Sequence, residues 1–143
     1  MNERDTVPDT TAQFLESIAS PDPQVRALAL SFARRKGASV IPGLANVAAH
    51  TDPAIAKGAQ QAMTDITHYA CQPGFRAERA GVADALLGIA RDTTRPRRVR
   101  AHALHLLGFA GGPVHAKAAT VLEADPNIGE DARMACERIK RAA

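Results

Sequence analysis

The chain has no Trp, one Tyr and four Phe among its 143 residues. So few aromatics and so much Ala suit close helix-to-helix packing, and disfavour a sandwich of β-branched strands. They also leave little material for stacking nucleic-acid bases. The two cysteines, Cys71 and Cys136, are too few for a disulfide framework and read as reduced thiols. No apolar run approaches the ~20 residues of a membrane span, and Met1–Asp9 has no charged-then-apolar signal pattern. These absences point to a cytoplasmic protein with no membrane contact. Residues 1–8 read as a disordered lead-in to one domain over 9–143. The net charge of +3 is mild and neither demands nor excludes nucleic acid. No Gly-rich phosphate loop, zinc motif or paired-carboxylate pattern stands out, so no catalytic residue, cofactor or metal is expected.

What the chain does have is a repeated helix start. Pro23-Gln24-Val25-Arg26, Pro53-Ala54-Ile55, Pro96-Arg97-Arg98-Val99-Arg100 and Pro126-Asn127-Ile128 each open an Ala-rich stretch. Proline suits the first helical turn, where its missing N–H has no helical partner, and a preceding Asp caps exposed N–H groups. Asp22, Asp52 and Asp125 fit this pattern, while Thr94-Arg95-Pro96 departs from it. Apolar residues then recur near the helical period. The predicted stripes are Val25, Ala29, Phe32 and Ala33; Ile55, Ala59, Met63 and Ile66; Val99, Ala103, Leu106 and Leu107; and Ile128, Ala132, Cys136 and Ile139. A second helix precedes each, over 10–19, 38–50, 77–91 and 113–124, the last with Val114, Ala118, Val121 and Leu122 on its stripe. Gly37, Gln72-Pro73-Gly74 and Gly111-Gly112-Pro113 break the chain between them. The expectation is eight helices in four hairpins, over about 9–36, 37–70, 77–110 and 113–142.

These segments resemble the HEAT-repeat family, of armadillo-like type. Ala38-Ser39-Val40-Ile41-Pro42-Gly43-Leu44 followed by Asp52-Pro53-Ala54-Ile55 is similar to one helix–turn–helix unit, and Ser20-Pro21-Asp22-Pro23-Gln24-Val25-Arg26 to a second turn and helix start. Val99-Arg100-Ala101-His102-Ala103-Leu104 with Leu107-Gly108 is the nearest match to the second-helix pattern. Ala56 and Gly129 stand where the other copies have Arg26 and Arg100, so an arginine ladder along the stack would be broken. The resemblance implies an all-α, right-handed α-solenoid whose second helices line a concave surface. Family members mostly scaffold protein complexes, some bind nucleic acid, and a few are enzymes.

The clearest local anomaly is basic. Arg91, Arg95, Arg97, Arg98 and Arg100 crowd one turn with only Asp92 opposing them, and cations at a helix N-terminus oppose its dipole. Either they pair with carboxylates of neighbouring turns, such as Asp52 and Asp125, or they meet an external anion. His102 and His105, three apart on one helix, read as partner-contacting or partly buried, since a metal would need further ligands. Arg97, Arg98, Arg100, His102, His105, Lys57 and Gln61 are therefore the candidate partner-binding residues of a non-enzymatic, monomeric interaction module with an acidic protein partner. The alternatives are a nucleic-acid-backbone binder using the same arginines, and a small helical-repeat enzyme or lyase in which Cys71 is the best nucleophile. Tyr69 and Phe75 read as packing that fills the irregular spacer between hairpins, and the basic groups Arg34-Arg35-Lys36 and Arg133, Arg138, Lys140, Arg141 as helix-end dipole matching.

Overall fold

Asp22 and Asp52 do what their place before proline predicts. Each Oδ1 accepts from the N–H two residues on, at 2.9 Å from Gln24 and 2.9 Å from Ala54, and Pro23 and Pro53 then begin helices. Thr10 caps the first helix by accepting from the Gln13 N–H at 3.1 Å. The computed structural model describes residues 10–143; the lead-in expected over 1–8 lies outside the described residues. Eight α-helices follow in order: α1 (Thr11–Ile18), α2 (Pro23–Ser31), α3 (Ile41–Ala48), α4 (Pro53–Ala70), α5 (Arg76–Arg91), α6 (Arg97–Ala110), α7 (Pro113–Thr120) and α8 (Gly129–Ala142). Short 3-10 turns extend α2 and α7 and lead into α3. There is no strand among the described residues, and the protein is all-α.

Helices adjacent in the chain pair as α1–α2, α3–α4, α5–α6 and α7–α8. The hairpins then lie against one another with like on like. Helix α1 touches α3, α3 touches α5 and α5 touches α7; α2 touches α4, α4 touches α6 and α6 touches α8. The seams hold Phe14, Ile18, Ile41, Leu44, Met63, Ile66, Leu86, Leu104, Leu106, Leu107 and Ile128, all sealed from solvent. Between them sit small residues such as Ala45, Ala59, Ala62, Ala83, Ala90, Ala103 and Ala132. Alanine lets helix backbones approach closely at no side-chain entropy cost. None of the helices is long and apolar enough to cross a membrane, among the described residues.

Three expectations need correction. Asp125 does not cap a helix at Pro126: its Oδ1 accepts from Asn127 N–H at 2.8 Å, but a turn follows and α8 begins only at Gly129. Val25 and Phe32 are not buried with Ala29 and Ala33; they are 39% and 45% exposed, because no earlier hairpin among the described residues packs on α2. Val114 and Val121 likewise face solvent, and Ala116 and Ala119 form the buried side of α7 instead. The other predicted stripes on α4, α6 and α8 are buried as expected.

Candidate functional site

The arginine-rich turn before α6 is tied to the hairpins on both sides. Toward α3, Arg95 donates to Asn46 Oδ1 at 2.8 Å and Arg98 to the carbonyls of Ala48 and His50 at 3.3 and 3.5 Å. Ala48 ends α3, where carbonyls run short of intrahelical donors, and His50 lies in the turn that follows. Toward α8, Arg97 donates to the Asn127 carbonyl at 2.8 Å and lies 3.7 Å from Asp131. Arg100 is only 3% exposed; it donates to the Ala90 carbonyl at 2.9 Å and pairs with Asp125 at 3.0 Å. Asp125 is held below the usual carboxylate range, first by the Asn127 N–H and then by Arg100. Arg95 Nε, sealed from solvent, faces Asp92 Oδ2 at 3.3 Å without hydrogen-bond geometry.

Of the candidate partner-binding residues, Arg100 is therefore occupied by the fold: burial and its pairing with Asp125 leave it nothing to offer a ligand. Arg98 is exposed and engages backbone carbonyls through its Nη2 alone, and Arg97 keeps a side chain 65% exposed. The internal pairing with Asp125 is one of the two outcomes the sequence left open; Asp52 takes no part in it. The Arg26 and Arg100 positions correspond in the repeat and act alike, because Arg26 donates to the Ser20 carbonyl at 2.8 Å beyond the end of α1.

The remaining candidates sit on the side shared by α4, α6 and α8. Lys57 and Gln61 are exposed on α4, where Gln61 donates to Asp65 at 2.8 Å. His102 lies half-buried on α6, 3.4 Å from Thr64 Oγ1. Burial, and then the nearby His105, hold its imidazole below the ordinary histidine range, which favours the neutral ring. His105 is exposed and meets Phe109 edge-on at 5.4 Å, and His68 of α4 meets the same ring edge-on at 5.8 Å. Arg138 of α8 stacks over Phe109, with its guanidinium carbon 4.3 Å from the ring centre. Met134 is 53% exposed beside them.

An open cleft of about 540 Å³ adjoins this face between α2 and α4. Arg34, Asp65, His68, Tyr69 and Gln72 line it. The Arg34 guanidinium stands 5.7 Å from the Tyr69 ring centre, and Tyr69 rests edge-on against Phe75 at 5.1 Å, the packing role expected of that pair. Arg34, Asp65, Phe109 and Arg138 were not singled out as site residues in the sequence. Arg34 and Arg138 read there as helix-end charges, because the aromatic rings they cover are distant in the chain.

Cys71 is not an activated thiol. Its Sγ lies 3.6 Å from the Phe109 carbonyl, to which it donates, and burial pushes its pKa up while Arg79 only partly opposes this. The Arg79 guanidinium is itself held by the Phe109 and Ala110 carbonyls. We expect iodoacetamide to alkylate Cys71 at least ~3-fold more slowly than a small free thiol at about pH 7.5. A rate above that of the free thiol, measured by mass spectrometry, would contradict the assignment. Among the described residues, no three His, Cys, Asp or Glu side chains converge where a metal ion would sit. No family model, curated protein or solved structure matches this chain.

Proposed function

We propose that the chain is a non-enzymatic interaction module of HEAT-like type, a short right-handed α-solenoid that holds a protein partner on the concave side formed by α2, α4, α6 and α8. The like-on-like contact order of the helices supports the solenoid reading. The observation that carries the binding reading is the exposed group on this side: His68, His105, Phe109 and Arg138 meet around one aromatic ring, next to the Arg34–Tyr69 cleft. Rigid aromatics, Arg and Met are the side chains on which interfaces most often centre. The partner segment suited to it carries a carboxylate for Arg34 or Arg138 and an apolar group for Met134 and Phe109. Lys57 and Gln61 border the site. Both cysteines are free thiols, in keeping with a reducing, cytoplasmic compartment.

The test is affinity capture with the full chain, followed by quantitative mass spectrometry. The double variant His105→Glu/Arg138→Glu is expected to lose its main partner by at least ~10-fold. Arg97→Glu/Arg98→Glu, at the edge of the face, is expected to lose less. An unchanged partner set for the His105/Arg138 variant, with helicity retained by circular dichroism, would sink this reading.

A second reading rests on Arg91, Arg97 and Arg98, which are exposed at one turn and suit a phosphate backbone. It requires gel-shift binding at low salt that falls steeply as salt rises. No shift with duplex or single-stranded DNA or RNA would remove it.

A further inference from the structure

The first hairpin leaves open the apolar positions that the other three close. Val25, Ile55, Val99 and Ile128 hold one repeat position, and Phe32, Ala62, Leu106 and Ala135 hold another. In the later three copies none of these residues is more than 4% exposed. In the first copy Val25 is 39%, Phe32 45% and the intervening Leu28 56% exposed. Their spacing puts all three on one stripe of α2. The apolar character of the seam is thus kept where the described chain supplies no hairpin to cover it.

Charge brackets the stripe. At its start lie Asp22, the α2 N-cap, and Glu16, which shares a shallow depression with Val25. At its end lies Arg35, which continues the same stripe in the 3-10 turn after α2.

We propose that this stripe is the interface of a two-fold symmetric dimer, with α2 packed antiparallel on α2 of a second copy. An antiparallel two-fold sets Leu28 against Leu28 of the copy at the centre and turns Val25 toward Phe32. It also brings the acidic end of each α2 to the basic end of the other, twice over; a parallel arrangement would oppose like charges. Other occupants fit less well. Residues 1–9 offer only Met1 and Val7 as large apolar side chains besides Pro8. The outer side of α8 is a network in which Arg133 pairs with both Glu130 and Glu137, and a head-to-tail contact would have to desolvate it.

A single-helix contact is smaller than the ~800 Å² per partner of a standard interface, so dissociation belongs in the micromolar to millimolar range. Sedimentation equilibrium of the full chain over that range is expected to show a reversible monomer–dimer equilibrium. Leu28→Glu and Leu28→Lys, at an exposed position, are each expected to weaken it at least ~10-fold with helicity unchanged. An equimolar mixture of the two variants should associate again, because the two-fold then sets the introduced carboxylate of one copy against the introduced ammonium of the other. Arg35→Glu should weaken the dimer several-fold, more so at low salt, and decides the matter if a Leu28 variant fails to fold. A wild type that stays monomeric throughout, a dimer indifferent to Leu28→Glu, or a mixture that stays apart would each overturn the proposal; the last would point to a different occupant.

Discussion

Arg100→Met is expected to destabilise the fold by about 2–3 kcal/mol. The substitution keeps most of the side chain's volume, so the loss is one of pairing. The Ala90 carbonyl, at the end of α5, loses its 2.9 Å donor, and Asp125 loses its cation. Because Arg100 is almost fully buried, water replaces it poorly. At this chain length each kcal/mol lowers Tm by roughly 3–5 °C, so thermal and urea unfolding both resolve the effect. Arg26→Met is the internal comparison. Arg26 is only partly buried and makes one such bond, to Ser20, so about 1 kcal/mol is expected there. Equal losses at the two sites would contradict the assignment of Arg100 as the buried clasp.

The same variant carries a pH signature. A carboxylate held below its unfolded value contributes stability that is present above about pH 4 and is lost as the pH falls through its folded value. Asp125 is such a group, with the Asn127 N–H as the first cause and Arg100 as the second. Removing Arg100 leaves the Asn127 N–H and a smaller contribution from the Ile128 N–H. Arg100→Met should therefore show a shallower loss of stability on acidification below about pH 4 than the wild type.

Gly129→Ala should cost about 3 kcal/mol despite alanine's higher helix propensity. A Cβ at this position would lie 2.5 Å from the Glu123 carbonyl oxygen. The oxygen is main chain and a Cβ is fixed by its own backbone, so the clash cannot be relieved by turning a side chain; the turn after α7 would have to move off α8. Gly88→Ala is the control. Its Cβ would meet nothing within 4 Å on the exposed side of α5, and a gain of about 0.5–1 kcal/mol is expected. Opposite signs at two helical glycines separate steric closeness from propensity. A neutral Gly129→Ala would mean that the α7–α8 turn is looser than its close main-chain approach requires.

Much of the scaffold was legible in the sequence because it is written locally. Asp22-Pro23 and Asp52-Pro53 announce helix starts through bonds two residues long, and the buried stripes of α4, α6 and α8 follow the helical period. Asp125-Pro126 has the same letters and a different outcome: its local bond to Asn127 forms, but helix α8 waits for Gly129, which lets the chain pass close to Glu123. Val25 and Phe32 carry the right period as well. Their exposure depends on what lies beyond the end of the hairpin row, which periodicity does not encode.

The site was less legible because its contacts are long-range. The arginine cluster stood out as charge against a helix dipole, but its targets are the carbonyls of Ala48, His50, Ala90 and Asn127, and every residue has a carbonyl. His105 was found on helical spacing alone. Its neighbours Phe109 and Arg138 were not, since the stacking of Arg138 on Phe109 joins two different hairpins.

The arginine turn also governs how the molecule comes apart. Arrays of helical hairpins ordinarily fray from either end, one unit at a time. Here four guanidinium groups leave a single turn in two directions, two to the end of α3 and its following turn and two to the turn ahead of α8. Opening either neighbour breaks bonds anchored in α6, so the last three hairpins are expected to open together. The α1–α2 pair lies outside these ties, and hydrogen exchange is expected to find its amides the first to open.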